Sequence, residues 1–490
     1  MTAESKAARR RRAYAVTTSV SELEALSVDE SSEVRRGVAV NPSTPAGLLE
    51  VLSHDRSVGV RRAVSENPNA SSATLEMLSH LRDWETRVGV ILNPSSSPSV
   101  WNALVDDERL DVRLALAYHD RSELDTLDRL AVDPVKGVRQ GVAGNEATRP
   151  ETLVALSRDE EASVRRAVAG NLRTPVACLR TLATDEHVAV RHEIAYHPMT
   201  PPDLLVLLGR DDSSAVRRGV ARHCAITQEL LYLLAHDESV EVREGAAYNP
   251  LTPQALLGVL ANDLSADVRL TAARNPRCDL ISLQRLALDE SAEVRSVVGS
   301  CCGATPEILD RLARDPVPLV RAKVALNATT GQLNLEQLAR DVEQTVRYGV
   351  AANPSCPSEL FASLLGDSNR DVRQAMASNA RLTPELAVQI SFDDDWEMRA
   401  AVARCASVPV SVLSDLASDK VVGVRQATAR NPSVTPAILE RLAADVNFHV
   451  RFNVASHTAV TIEILDRLRR DCSSGVREMA EHRRREFDPS

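Results

Sequence analysis

Residues 29–54, DESSEVRRGVAVNPSTPAGLLEVLSH, decide the fold, because the chain keeps rewriting them. Arg35 recurs every 26 residues, at Arg61, Arg87 and onward to Arg477, without one insertion or deletion. Six residues before each arginine stands an aspartate, from Asp29 and Asp55 to Asp471, with Leu81 the single exception. Self-similarity at a fixed period of this length is the mark of a repeat architecture.

Each unit reads as two short helices. Val34, Val38 and Ala39 form one stripe of a helix from about residue 30 to 40. Asn41-Pro42 ends it, since proline offers no N–H and pushes its predecessor out of the helical region. Thr44-Pro45 then reads as an N-cap with proline at the first helical position. Leu48, Leu49 and Leu52 supply the apolar face of the second helix. Such a unit has too few apolar side chains to offset the entropy of ordering 26 residues, so neighbours must stack and share their cores. The expected fold is all-α, a right-handed superhelical α-solenoid of about 17 tandem two-helix repeats of 26 residues with capped ends.

The Asp29…Val34-Arg35 spacing resembles the second helix of HEAT-type repeats. Followed by Asn41-Pro42 and the leucines to Leu52, it is similar to the leucine-rich-repeat variant family, over about residues 29–480. That resemblance implies a superhelix of short paired helices, one of them open to being 3₁₀, and no enzymatic activity. One arrangement in the family adds an N-terminal iron–sulfur module held by cysteines. This chain departs from it, its first cysteine being Cys178.

A chain of 490 residues ordinarily suggests several domains, but an unbroken period reads as one elongated domain. Layers packed about 10 Å apart give a path of about 170 Å. Residues 1–28 read as a degenerate capping unit with Arg9 in register, residues 29–470 as seventeen repeats, and residues 471–490 as a partial charged cap. The run Arg9 to Arg12 reads as a solvated cap, or else as an anchor for an acidic partner or nucleic acid. Capped ends predict a discrete molecule and a monomer.

A net charge of −10 and 3% aromatic residues argue against wholesale nucleic-acid binding. No apolar run of 18 residues and no signal peptide are evident, so the expectation is a cytoplasmic protein without membrane contact. The eight cysteines are scattered and form no C-x-x-C, as suits small buried thiols in a reducing compartment.

The arginine–aspartate series reads as structure, because a pair repeated in every layer cannot mark one active site. Asparagine six residues after the arginine (Asn41, Asn67 and others), replaced by His119, His197, His223 and His457, reads as a turn residue. His192, His197, His223 and Cys224 are ligand types for zinc, but their spacing matches no known pattern, so no metal and no cofactor are expected. No G-x-S-x-G, phosphate loop or H-E-x-x-H is present, and the expectation is a protein that is not an enzyme.

Two features remain for binding. The residue after the ladder arginine is basic at Arg36, Arg62, Arg166 and Arg218, with His192 between, and no longer basic from Glu244 onward. Trp84 and Trp396 occupy the same place in their units, and packing is the favoured role over an exposed anchor. The leading expectation is a scaffold that binds a protein or peptide along its superhelical face. The alternative is a nucleic-acid-binding HEAT-like protein that uses the basic strip, resembling the HEAT-like DNA glycosylases.

Overall fold

The computed structural model describes residues 5–487. Among these residues the chain is helical throughout and contains no strand. In the first full unit the helices are Ser32–Val40 and Ala46–Ser53. The first begins where the Asp29 carboxylate accepts the Ser31 N–H at 2.8 Å. It ends at Asn41, whose backbone is extended (ψ 123°) because Pro42 follows.

The expected cap of the second helix is one residue out. Pro45 takes the N-cap place, and the Thr44 hydroxyl donates instead to the Val38 carbonyl at 2.6 Å, tying the turn to the helix before it. Capping by threonine appears where it stands one position later. Thr383 accepts the Leu386 N–H, and Pro384 then begins the helix. The difference is reach: at the earlier position the hydroxyl lies beside the carbonyls that the first helix leaves open at its end.

The question of 3₁₀ geometry is settled in favour of α for the second helices, apart from a short 3₁₀ segment at Ser358–Leu360 that leads into Phe361–Leu365.

Val34, Val38, Leu49 and Leu52 are at most 2% exposed, and their equivalents repeat along the core. Each first helix packs most extensively on the first helices of the units before and after it, while second helices close the other side. Contacts divide the chain into two compact bodies, Met1–Leu251 and Thr252–Ser490. Each is a helical solenoid built from the same unit.

In the first body, Lys6–Tyr14 and Val20–Ser27 stand where a preceding unit would, and Ala13, Leu23 and Leu26 are buried. Arg9 is not simply a solvated charge there; its Nε donates to Asp29 at 2.6 Å. The second body ends in one helix, Ser474–Phe487. Arg483 and Arg484 occupy the register of Asn41-Pro42, so nothing breaks the helix. Val476 and Ala480 are buried, while Glu481 pairs with Arg469 and Arg484 with Asp466.

Candidate functional site

The arginine ladder joins consecutive units. Arg35 Nε and Nη2 donate to the two carboxylate oxygens of Asp55 at 2.6 and 2.9 Å, and Nη1 donates to the Asp29 carbonyl at 2.7 Å. In an intact rung the guanidinium therefore uses its own unit's backbone and the next unit's carboxylate. Arg295 repeats this with Asp315 and the Asp289 carbonyl, and Arg451 with Asp471 and the Asp445 carbonyl. Burial pushes the Asp55 carboxyl up, but hydrogen bonds from Arg35 and the Ser57 N–H outweigh it and leave the group below its ordinary range. With both partners of a rung largely buried, as the 7% and 8% side-chain exposures of Arg35 and Asp55 show, removing one strands a desolvated charge.

Among the described residues the ladder is broken at Arg61 and at Arg373. Leu81 faces Arg61 where a carboxylate belongs; Arg61 Nη1 still donates to the Asp55 carbonyl, but its buried Nε has no partner. At the other, Asp393 is exposed and accepts the Asp395 N–H. Arg373 keeps only its bonds to the Asp367 and Ser368 carbonyls. Both breaks lie at units whose first helix opens with Asp-Trp-Glu.

The asparagines form a second ladder. Asn67 Nδ2 donates to the Ala39 and Asn41 carbonyls at 2.7 and 3.0 Å, while its Oδ1 accepts the Asn69 N–H at 2.9 Å. The turn role is as expected; the reach into the previous unit was not legible. Histidine fills the same place. His223 Nδ1 accepts the Ala225 N–H and Nε2 faces the His197 carbonyl, which requires the Nε2–H tautomer. His197 is bonded likewise. With both ring nitrogens occupied, neither can ligate a metal without breaking the ladder, and no metal-binding group forms among the described residues. His192 stands apart, its ring 4.9 Å from that of Tyr196. Burial lowers the pKa of His119 in the same series.

The residues that follow the ladder arginines lie on the first helices. Arg36 is exposed, with no carboxylate partner among the described residues. Arg62 pairs with Glu66 at 3.0 Å and Glu85 at 2.8 Å, and Arg166 with Glu193 at 2.9 Å. Arg218 is half-buried with an unpartnered Nε. The strip is thus a mixed-charge row, since acidic residues from the same or the next helix stand beside its arginines.

The structure brings Arg62 and Trp84 into one recess of about 270 Å³ with Leu92. Trp84 is half-buried, with Arg109 5.3 Å over its ring. Trp396 is 41% exposed and lies across Gly423, where an added Cβ would stand 2.6 Å from the ring. Both tryptophans pack on the following unit and keep one surface open.

The sequence reading missed the tyrosines. Tyr118, Tyr196 and Tyr248 share one register position at the end of the first helix and are 60%, 42% and 62% exposed. Tyr118 lies over Gly141 and Tyr196 over Gly219, each ring 2.8 Å or less from where a Cβ would be. The signal was available as a tyrosine followed 23 residues later by glycine, as also at Tyr14 and Gly37. Glycine lets the ring lie flat on the next helix, which fixes it with one surface outward. In the second body, the first helices Pro318–Leu326, Gln344–Ala352 and Arg370–Ala377 carry a groove of about 790 Å³.

Among known proteins, the family model described as leucine rich repeat variant matches residues 33–57. No curated protein matches the chain. A solved structure titled as a leucine-rich repeat variant with a novel repetitive structural motif is 27% identical, covering 45% of this chain and 87% of its own, with a TM-score of 0.36. Kap95p, solved in work on its binding to RanGDP, is 12% identical, covering 98% of this chain and 87% of its own at a TM-score of 0.40. Yeast importin-beta is 14% identical over 97% of this chain and 72% of its own, at 0.34. The unit that the family model matches at residues 33–57 has a pattern that later segments restate in register.

Proposed function

We propose that the chain is a non-enzymatic scaffold that binds protein or peptide along the outer face of its first helices. The observation that carries this reading is the row of tyrosine rings seated on glycine at Tyr118 and Tyr196, continued by Tyr248. Rigid, half-exposed aromatic rings lose little entropy on binding and are typical anchors of protein interfaces. Their hydroxyls and ring faces suit peptide better than phosphate. A cytoplasmic setting agrees with eight unpaired cysteines.

The test is parallel affinity enrichment with the full chain and with a Tyr118→Ala/Tyr196→Ala/Tyr248→Ala variant of unchanged circular dichroism. A partner bound by the first and lost by the second is expected. Identical recoveries from both would remove the tyrosine row from function.

The nucleic-acid reading is weakened by the pairing of Arg62 and Arg166 with glutamates. Labelled random duplex DNA, followed by fluorescence anisotropy through a salt titration, separates the two. Binding with a steep salt slope, weakened by replacing Arg36, Arg62, Arg166 and Arg218 with alanine, would favour it.

A further inference from the structure

We propose that the groove of the second body, over the helices Pro318–Leu326, Gln344–Ala352 and Arg370–Ala377, is a binding site for one extended peptide. That peptide is uncharged and apolar through its middle and presents a carboxylate at the Arg404 end. The proposal rests on the scaffold reading and names the partner's chemistry for one site.

The groove combines an apolar side with three charged lining residues, Lys323, Asp371 and Arg404. Leu319, Ala322 and Leu326 line one side, with Tyr348 beside them at 43% exposure. Elsewhere on this face Arg62 and Arg166 fill the corresponding register beside their glutamates, whereas here it is held by Ala322, Tyr348 and Gln374. Along Leu319, Ala322, Leu326 and Tyr348 an apolar side chain gains by burial.

Two amides flank the floor with bonding capacity left over. Gln344 Oε1 accepts from Asn369, which leaves its Nε2 to donate to a ligand carbonyl. Gln374 Nε2 donates to Glu397, which leaves its Oε1 to accept a ligand N–H. One spare donor and one spare acceptor on neighbouring units match the alternating groups of an extended backbone. Three first helices at packing distances of about 8–10 Å give a floor of about 20–30 Å, or about six to nine extended residues.

The direction comes from charge. Arg404, beyond the last of the three helices, is exposed and has no carboxylate partner among the described residues, whereas the other lining cation, Lys323, lies on the first helix. The carboxylate of a side chain or of a peptide C-terminus would complete it.

The test begins with selection of random twelve-residue displayed peptides on the full chain, followed by fluorescence polarisation of the best synthetic peptide. Enriched sequences should share an uncharged apolar stretch followed by an acidic residue or a free C-terminus. Comparing amidated with free-acid peptide tells these two sources apart. Ala322→Arg, which fills the floor, and the exposed-site variant Tyr348→Glu should each weaken binding at least tenfold. Arg404→Glu should weaken it several-fold, and more at low salt. Leu264→Ala, at an exposed position outside the groove lining, should leave it unchanged.

No enrichment, basic enriched peptides, or binding indifferent to both Ala322→Arg and Tyr348→Glu overturns the proposal. Peptides lost with Tyr118→Ala or Tyr196→Ala but kept by Tyr348→Glu overturn this groove while leaving the scaffold reading in place. Peptides indifferent to all of these variants overturn both.

Discussion

Leu81→Asp should stabilise the chain, against the usual expectation for replacing an apolar residue by a charge. Leucine and aspartate share the same branching at Cγ, so the change places two oxygens where two methyls stood, without overpacking. In an intact rung the carboxylate takes the arginine Nε at 2.6 Å, Nη2 at 2.9 Å and an N–H two residues on at 2.8 Å. At the broken rung the desolvation of Arg61 is already incurred, since its Nε is buried and unpartnered. Hydrogen bonds to charged groups contribute about 1.5–3 kcal/mol each. Burying the new carboxylate and losing the leucine methyls offset most of that sum, leaving a net gain of about 1–2 kcal/mol. Amide exchange is the right assay, because a stack of repeats can open locally without melting as a whole. Protection should rise in the helices Val58–Glu66 and Trp84–Leu92, and rise less for the neutral isostere Leu81→Asn. Unchanged or lower protection in Leu81→Asp would refute the view that a missing carboxylate is what weakens this rung.

An intact rung should respond in the opposite sense. Arg295→Ala strands the Asp315 carboxylate and should cost about 3–5 kcal/mol locally; an unchanged melting profile would sink the ladder as a source of stability. In the second ladder, Asn353→Asp should harm more than Asn353→Ala, because Nδ2 donates to the Ala325 and Asn327 carbonyls and a carboxylate oxygen there would face both of them. The cost of the aspartate variant should be about 2–4 kcal/mol by urea titration, and equal costs for the two variants would contradict the donor role. Acid should unfold the chain steeply. The carboxyls of Asp55, Asp211 and Asp315 lie below their ordinary range in the fold, so their stabilisation is complete above the unfolded value of about 4 and is lost as pH falls through the lower folded values. Helicity followed from pH 7 to pH 2 should hold to about pH 4 and then collapse; a loss centred near neutrality would point to other groups. Gly423→Ala places a methyl 2.6 Å from the Trp396 ring, so either stability falls by about 1–3 kcal/mol or the ring swings out, and tryptophan fluorescence tells which.

Much of the site was legible only in part. The register identified Arg35 and Asp55 as structural, yet it could not say whether Arg35 meets the carboxylate of its own unit or the next. Asp29 and Asp55 are equivalent residues in sequence, and the choice between the Asp29 carbonyl and the Asp55 carboxylate follows from how one layer sits on another. The basic strip looked like a field of positive charge because Glu66, Glu85 and Glu193 were not seen beside it. The tyrosines went unremarked for a related reason: a ring and the glycine beneath it belong to different units.

By itself the sequence determined the helical unit, its period, its apolar faces and the turn between its helices. All of these depend on residues within one unit, where the spacing along the chain is also the spacing in space. Only the tertiary structure decided which arginines remain free of carboxylates, which aromatic rings face outward, and where the outer face opens into a groove. Those depend on side chains 20–30 residues apart meeting across a stacked interface, and that meeting is set by the packing of one layer on the next.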